Sequence, residues 1–338
     1  MLIFLYVGLM ADLRNSMLAT LAYYDILDFP LTLFEIHKFL INPARLSKMP
    51  VQEPITLGQI DEELQTLVKL GTIQTKNGFY FLPERERLYD LRIKREKISA
   101  AKWKKFLKTA RWFQAVPYLR GMLASGSMAL GNTDNESDFD VLAVAQAGRL
   151  YTCRVLLSLA ASLFGARRKR FDKTAPDKFC FNHYITDASL LIRHESLYNA
   201  QTYIHLKPVL IGDDLFEDFY ASNLWLNKYV YNFRPANLFI RRSVKPSIAL
   251  RSIAVLGEFF LNNKLGDLLE TFLKKYQHDR IKSNPVTYEK GGRIVFNDGE
   301  LEFHPSSFEA KAISGYNRAL ANFGIIPLEE ERDSGLTN

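Results

Sequence analysis

Three observations predict an α+β protein. Capping signals and an Asn-Gly turn fill residues 16–82, apolar strand-like runs alternate with helical ones from 119 to 186, and beyond about Asp187 apolar residues recur mostly at helical spacing. The 338 residues, 47% hydrophobic and 24% charged, suffice for two or three compact units, and the breaks between patterns divide them at 1–83, 84–190 and 191–338.

The first unit reads as a winged helix-turn-helix. Met17, Leu21 and Tyr24 recur at helical spacing until Phe29-Pro30 stops the run. Thr32 with Glu35, then Thr56 with Gln59, are capping boxes opening two further helices, separated by a loop containing Pro43, Pro50 and Pro54. "TIQTKNGFYFLP" then turns at Asn77-Gly78 as a hairpin, the expected wing. The third helix would present Asp61, Glu62 and Glu63, the wrong sign for phosphate, so DNA binding is disfavoured against a protein-contact or structural role.

A long helix is expected from Glu84 to Gln114, with Trp103, Phe106, Ala110 and Phe113 as its apolar seam. Lys94, Lys97, Lys104, Lys108 and Arg111 fall near another face, which reads either as a solvated surface or as a phosphate-contacting one, to which Arg167-Arg168-Lys169-Arg170 could add. Strands are expected at Leu119 to Ala124, Phe139 to Ala145 and Phe179 to Thr186. A helical turn at Met128 to Leu130 and a buried helix from Leu150 to Phe164 lie between them, and together they form a mixed sheet. Helices are expected at Leu197 to Ile211, Leu215 to Tyr231, Ile248 to Leu261 and Leu265 to Tyr276. "GGRIVFNDGELEFHP" reads as a hairpin, and a last helix runs from Ser307 to about Phe323.

The chemistry concentrates in "LASGSMALGNTDNESDFDVLAV". Residues two apart on a strand share a face, so Asp138 and Asp140 project together. Two carboxylates so placed repel unless a cation lies between them, and Mg²⁺ takes carboxylate and phosphate oxygens. One strand earlier, Gly126 allows close backbone approach to an anion, while the Ser127 hydroxyl and the amides of the next turn can donate to phosphate. A carboxylate pair at a strand end is ordinary by itself; a phosphate cradle beside it is not.

Gly126-Ser127, ten intervening residues, then Asp138-Phe139-Asp140 preceded by Ser137 resemble the signature of the DNA polymerase beta-like nucleotidyltransferase superfamily. The likeness extends over roughly residues 100 to 190, and the three-part layout is similar to that of uncharacterised prokaryotic nucleotidyltransferase-domain proteins with an N-terminal winged helix. The resemblance implies that Gly126 and Ser127 hold a triphosphate, with Ser137 counted among the nucleotide-binding candidates. It implies that Asp138 and Asp140 bind two Mg²⁺ ions, and that a nucleoside monophosphate passes from an NTP to a hydroxyl on a small molecule, an RNA end or a protein. Such proteins usually carry a third carboxylate on a later strand. Here "FCFNHYIT" offers Asn182, which can coordinate metal but cannot act as a base. Asp187, Asp172 or Asp177 could supply the group instead, or metals and water could suffice. The alternative reading is a nucleotide-responsive binding or regulatory protein with an attenuated site.

Other classes find less support. Cys180 and His183 are expected on opposite strand faces, which disfavours zinc. Cys153 and Cys180 sit in apolar stretches and predict buried thiols in a reducing cytoplasm. Met1 to Met10 is too short to span a bilayer, and Arg154 interrupts the apolar run from Leu150 to Ala166, so no membrane association is expected. The +7 charge and pI near 9.2 are compatible with an anionic partner.

Overall fold

The structure, a computed structural model, describes residues 2–46, 54–169, 172, 174–234, 242–289, 292–304, 307–326, 328 and 331; of residues 2–11 and 213 it describes the backbone alone. Pro50, Arg170 and Pro235 lie outside them. The protein is α+β with a mixed sheet.

The N-terminal part consists of α1 (Leu2–Ile26), β1 (Leu31–Thr32), α2 (Leu33–Phe39), α3 (Leu57–Lys69), β2 (Gln74–Lys76) and β3 (Phe79–Phe81). Both capping boxes form: Thr32 with Glu35 opens α2, and Thr56 with Gln59 opens α3. Asn77 and Gly78 both adopt positive φ, 52° and 79°, so the hairpin closes tightly and aligns Lys76 with Phe79. The three strands form an antiparallel sheet in the order β1-β3-β2. Glu63, expected on the outside of α3, is buried and ion-paired with Arg14 at 2.5 Å, so only Asp61 and Glu62 remain of that acidic face.

The central elements are α4 (Arg87–Ala110), β4 (Leu119–Ala124), α5 (Gly126–Leu130), β5 (Phe139–Ala145), α6 (Leu150–Leu163) and β6 (Phe179–Thr186). Then come α7 (Leu197–Tyr203), β7 (Lys207–Leu210), α8 (Asp213–Ser222), α9 (Leu226–Tyr229), α10 (Ile248–Leu261), α11 (Lys264–Lys282), β8 (Arg293–Phe296), β9 (Glu300–His304) and α12 (Glu309–Asn322). Six strands order as β7-β4-β5-β6-β9-β8, with β5 and β6 parallel across α6 and the other pairs antiparallel. Two corrections follow. The stretch Leu197 to Ile211 is not one helix: it breaks after Tyr203, and Lys207–Leu210 is an edge strand, where Pro208 is tolerated. Leu215 to Tyr231 is likewise not one helix but is divided between α8 and α9, while β9 of the expected C-terminal hairpin pairs with β6 and extends the central sheet.

Alternate residues of β4 and β5 enter opposite cores. Met122, Val141 and Ala143 pack with Trp103 and Phe106 of α4 and Leu157 of α6. Leu123, Leu142 and Val144 pack with Ile204, Phe219 and Leu320 on the other face. That second core runs without a break into the N-terminal part, through Met17, Leu21 and Tyr24, so the apolar interior does not divide at residue 83 or 190. Polar ties follow the same route: the Tyr24 hydroxyl donates to Gln201 Oε1 at 2.7 Å and meets His205 Nε2 at 2.7 Å. Phe106, Phe139 and Phe179 meet ring to ring at 4.8 to 5.2 Å directly beneath the acidic strand, so Phe106→Ala should cost about 3–5 kcal/mol. Lys94, Lys97, Lys104, Lys108 and Arg111 are exposed, a solvated face. No helix among the described residues is long and apolar enough to cross a membrane.

Candidate active site

β4 ends at Ala124, and the chain enters α5 through Ser125 and Gly126. The Ser125 N–H donates to the Asp140 carbonyl at 3.0 Å, which binds the turn to the start of β5. Gly126 has φ +57°, and a Cβ built on it would lie 2.4 Å from Asp140 Oδ2 and 3.2 Å from Asp140 Cβ. Glycine is therefore required twice, by backbone conformation and by contact. The anion that Gly126 approaches is the protein's own carboxylate, which joins the Gly-Ser turn and the acidic pair into one site. The Ser127 hydroxyl has no hydrogen-bond partner among the described residues and is free to donate.

Asp138 and Asp140 share a face, as the strand period requires. Asp138 is ion-paired with Nη1 of Arg168, which arrives from the loop after α6. Among the described residues the Asp140 carboxylate has one hydrogen-bond partner, the Asn182 amide, whose Nδ2 donates to Oδ1 at 3.3 Å. Burial, then the charge of Asp138, push the Asp140 pKa up to about 7, against the opposing pull of Arg168 and Asn182. Arg168 thus bonds to one carboxylate and acts on the other only through its charge.

Cys180 is the register partner of Asp140, and its Sγ lies within 4.8 Å of the ligand oxygens of both aspartates. Burial, then the charges of Asp140 and Asp138, push its pKa up to about 12, so it is a thiol at neutral pH. A register shift between β5 and β6 pairs Asp140 with Cys180 but Leu142 with His183. This extra residue puts Cys180 and His183 on the same face, not opposite ones, because a bulge adds one to the strand period. His183 is nevertheless not a co-ligand of Cys180. Its Nε2 meets Glu300 Oε1 at 3.0 Å and its Nδ1 meets the Tyr203 hydroxyl at 3.2 Å.

The remaining sequence candidates stand elsewhere. Ser137 donates its hydroxyl to Asp134 Oδ1 at 2.8 Å and shapes the loop ahead of the pair. Asp177 binds Lys102 at 2.8 Å and Lys105 at 2.5 Å; burial would raise its pKa, but the two ammoniums outweigh that and hold it below the usual value. Asp172 accepts from the Lys169 N–H at 2.9 Å. Asp187 accepts from the Ala147 N–H at 2.8 Å, beyond the opposite end of β6.

Arg168, named from the sequence as part of a basic run that could add to a phosphate-contacting face, supplies the counter-charge of the site. Two residues that sequence reading passed over also help build it. Lys102, buried on α4, donates to the Asn135 and Ser137 carbonyls at 3.1 and 2.7 Å and clamps the loop that delivers Asp138. Lys207 pairs in register with Ala124, just ahead of the Gly-Ser turn, and has no anionic partner among the described residues. Burial, then Lys38 and Arg242, lower its pKa to about 8. Charge and an apolar seam flagged the helix that carries Lys102, but nothing in the sequence marks which lysine turns inward.

The donor set can be tested against the implied metal. Paired carboxylate oxygens with incomplete compensation suit a small hard cation, and the Cys180 Sγ within 4.8 Å is a further ligand atom beside them. The residues therefore fit Mg²⁺. No protein family, no curated protein and no solved structure matches this chain.

Proposed function

We propose that the protein is a Mg²⁺-dependent nucleotidyltransferase of the polymerase beta-like type, built on a winged helix, a nucleotidyltransferase core and a largely helical C-terminal region. The observation that carries the reading is the contact of Gly126 with Asp140. It sets a free serine hydroxyl and the start of a helix against a carboxylate pair short of counter-charge. In this reading Ser127 and the first-turn N–H groups of α5 hold the triphosphate of an NTP, and Asp138 and Asp140 hold Mg²⁺. When bound, the metal lowers the pKa of an acceptor hydroxyl and offsets charge at the α-phosphate. Asn182 keeps Asp140 oriented by its hydrogen bond. Arg168, which pairs with Asp138, would offer its positive charge to a departing pyrophosphate.

No side chain is assigned as the base. Loss of a positioned base commonly costs roughly 10²- to 10⁴-fold in rate, so a slow enzyme is expected. The winged helix is assigned a structural role rather than DNA binding, in line with its core continuous with the rest of the chain. A second reading, a nucleotide-responsive protein that binds without turnover, is favoured by one observation: the third strand faces the pair with Cys180 and Asn182, neither a carboxylate.

Incubation with each labelled NTP and Mg²⁺ in cell extract tests the first reading, which expects a labelled acceptor and released pyrophosphate. NTP binding without label transfer, combined with a large gain in Asn182→Asp, would select the second.

A further inference from the structure

Beside the acidic pair, between α6, α11 and the first half of β6, lies a cleft of about 780 Å³. Arg154, Arg167, Arg168, Lys169 and Arg280 line it, and among the described residues no Asp or Glu does. In a chain with 44 basic and 37 acidic residues, five cations without an acid form a strongly biased wall. Only Arg168 has a carboxylate partner, Asp138; among the described residues Arg154, Arg167, Lys169 and Arg280 have none. Arg154 is held in place without one. Its Nη1 donates to Gln277 Oε1 at 2.6 Å, and its guanidinium lies 4.4 Å from the Phe303 ring centroid. Burial, and the neighbouring Arg167 and Arg280, act to lower its pKa below the ordinary guanidinium value. Structural arginines this enclosed are normally paired, so an unpaired, pre-oriented one facing further cations is suited to an anion from outside. Arg168, Cys180 and Asn182 border both this cleft and the aspartates.

We infer that this cleft binds a phosphate-bearing small molecule of about nucleotide size, and that this molecule is the acceptor in the transfer. The volume falls within the roughly 300–1,000 Å³ of small-ligand sites. The cations would take the phosphate, and the shared border with the aspartates would present a hydroxyl to them. The acceptor role rests on the nucleotidyl-transfer reading; the phosphate site does not.

Titration calorimetry in EDTA with pyrophosphate, AMP and adenosine tests the site. Pyrophosphate and AMP should bind and adenosine should not. Arg154→Gln and the exposed Arg280→Gln should each weaken binding roughly tenfold or more, while Lys97→Gln on the outer face of α4 should leave it unchanged. Absence of binding, indifference to both arginine substitutions, or loss in Ser127→Ala alone would overturn the site. Pretreating the extract with phosphatase, then removing it before labelling, tests the acceptor role. Label that vanishes supports a phosphate-bearing acceptor, and label that survives overturns it while leaving nucleotidyl transfer intact. Failure of Mg²⁺–NTP binding sinks the transfer reading, and with it the acceptor role, yet leaves the pyrophosphate titration to decide the cleft.

Discussion

Asp138-Phe139-Asp140 and Glu300-Leu301-Glu302 place the same pattern on two strands of one sheet. At Glu300 and Glu302 each carboxylate has its own partner: His183 for Glu300 at 3.0 Å, and Arg293 for Glu302, with His304 a further 3.8 Å from it. Both are more than 90% buried, and His183 is itself held by Tyr203. At Asp138 and Asp140, among the described residues, one guanidinium pairs with Asp138 and Asp140 has a neutral amide, that of Asn182. Counter-charge, rather than pattern or burial, separates a structural acidic pair from one suited to an incoming cation.

The largest stability effect should come from breaking the satisfied pair. Glu302→Ala leaves the Arg293 charge without its partner and should cost roughly 3–5 kcal/mol in urea unfolding. Asp140→Asn should be neutral or stabilising by the same assay, because it removes a like-charge repulsion in a buried place. Equal losses at the two positions would break the comparison.

The pairs should also respond to pH in opposite directions when a chelator is present. At Glu300 burial raises the pKa, but the bond and charge of His183 outweigh it and the folded value is low. Its contribution is complete above the unfolded glutamate value near ~4.3 and is lost as pH falls through the folded value. At Asp140 the folded pKa is raised to about 7. An unfolded aspartate releases its proton near ~3.9, so stability falls as pH rises between these values, and Asp140→Asn should flatten that slope. Unfolding midpoints across that range in both variants measure the two signs.

Gly126→Ala should have a smaller effect, about 1–2 kcal/mol, from its positive φ and the contact with Asp140. Its consequence for nucleotide binding should exceed its consequence for stability, since the Asp140 side chain must move aside. Lys104→Ala, on the exposed face of α4, should stay within about 0.5 kcal/mol and leave binding unchanged.

Much of this was legible in the amino acids where the signal is local. β4, β5 and β6 span the expected residues because apolar runs bounded by turn residues define them, and both capping boxes form because the interaction closes within four residues. What escaped depends on partners distant in the chain. Lys207–Leu210 is a strand only because β4 offers an edge, and Glu63 is buried only because Arg14 meets it. The bulge in β6, which realigns His183, reflects packing against β5 and β9. At the site, the shared face of Asp138 and Asp140 follows from strand geometry, whereas the basic run Arg167-Arg168-Lys169-Arg170 does not say which of its members pairs with Asp138.

The most direct measurement is equilibrium binding of labelled NTP with and without Mg²⁺ to the wild type and to the Asp138→Ala, Asp140→Ala double variant. Metal-dependent binding by the wild type, abolished in a double variant that remains folded, is the expected result. Wild-type binding that ignores Mg²⁺, binding that survives in the double variant, or no binding at all would contradict the account.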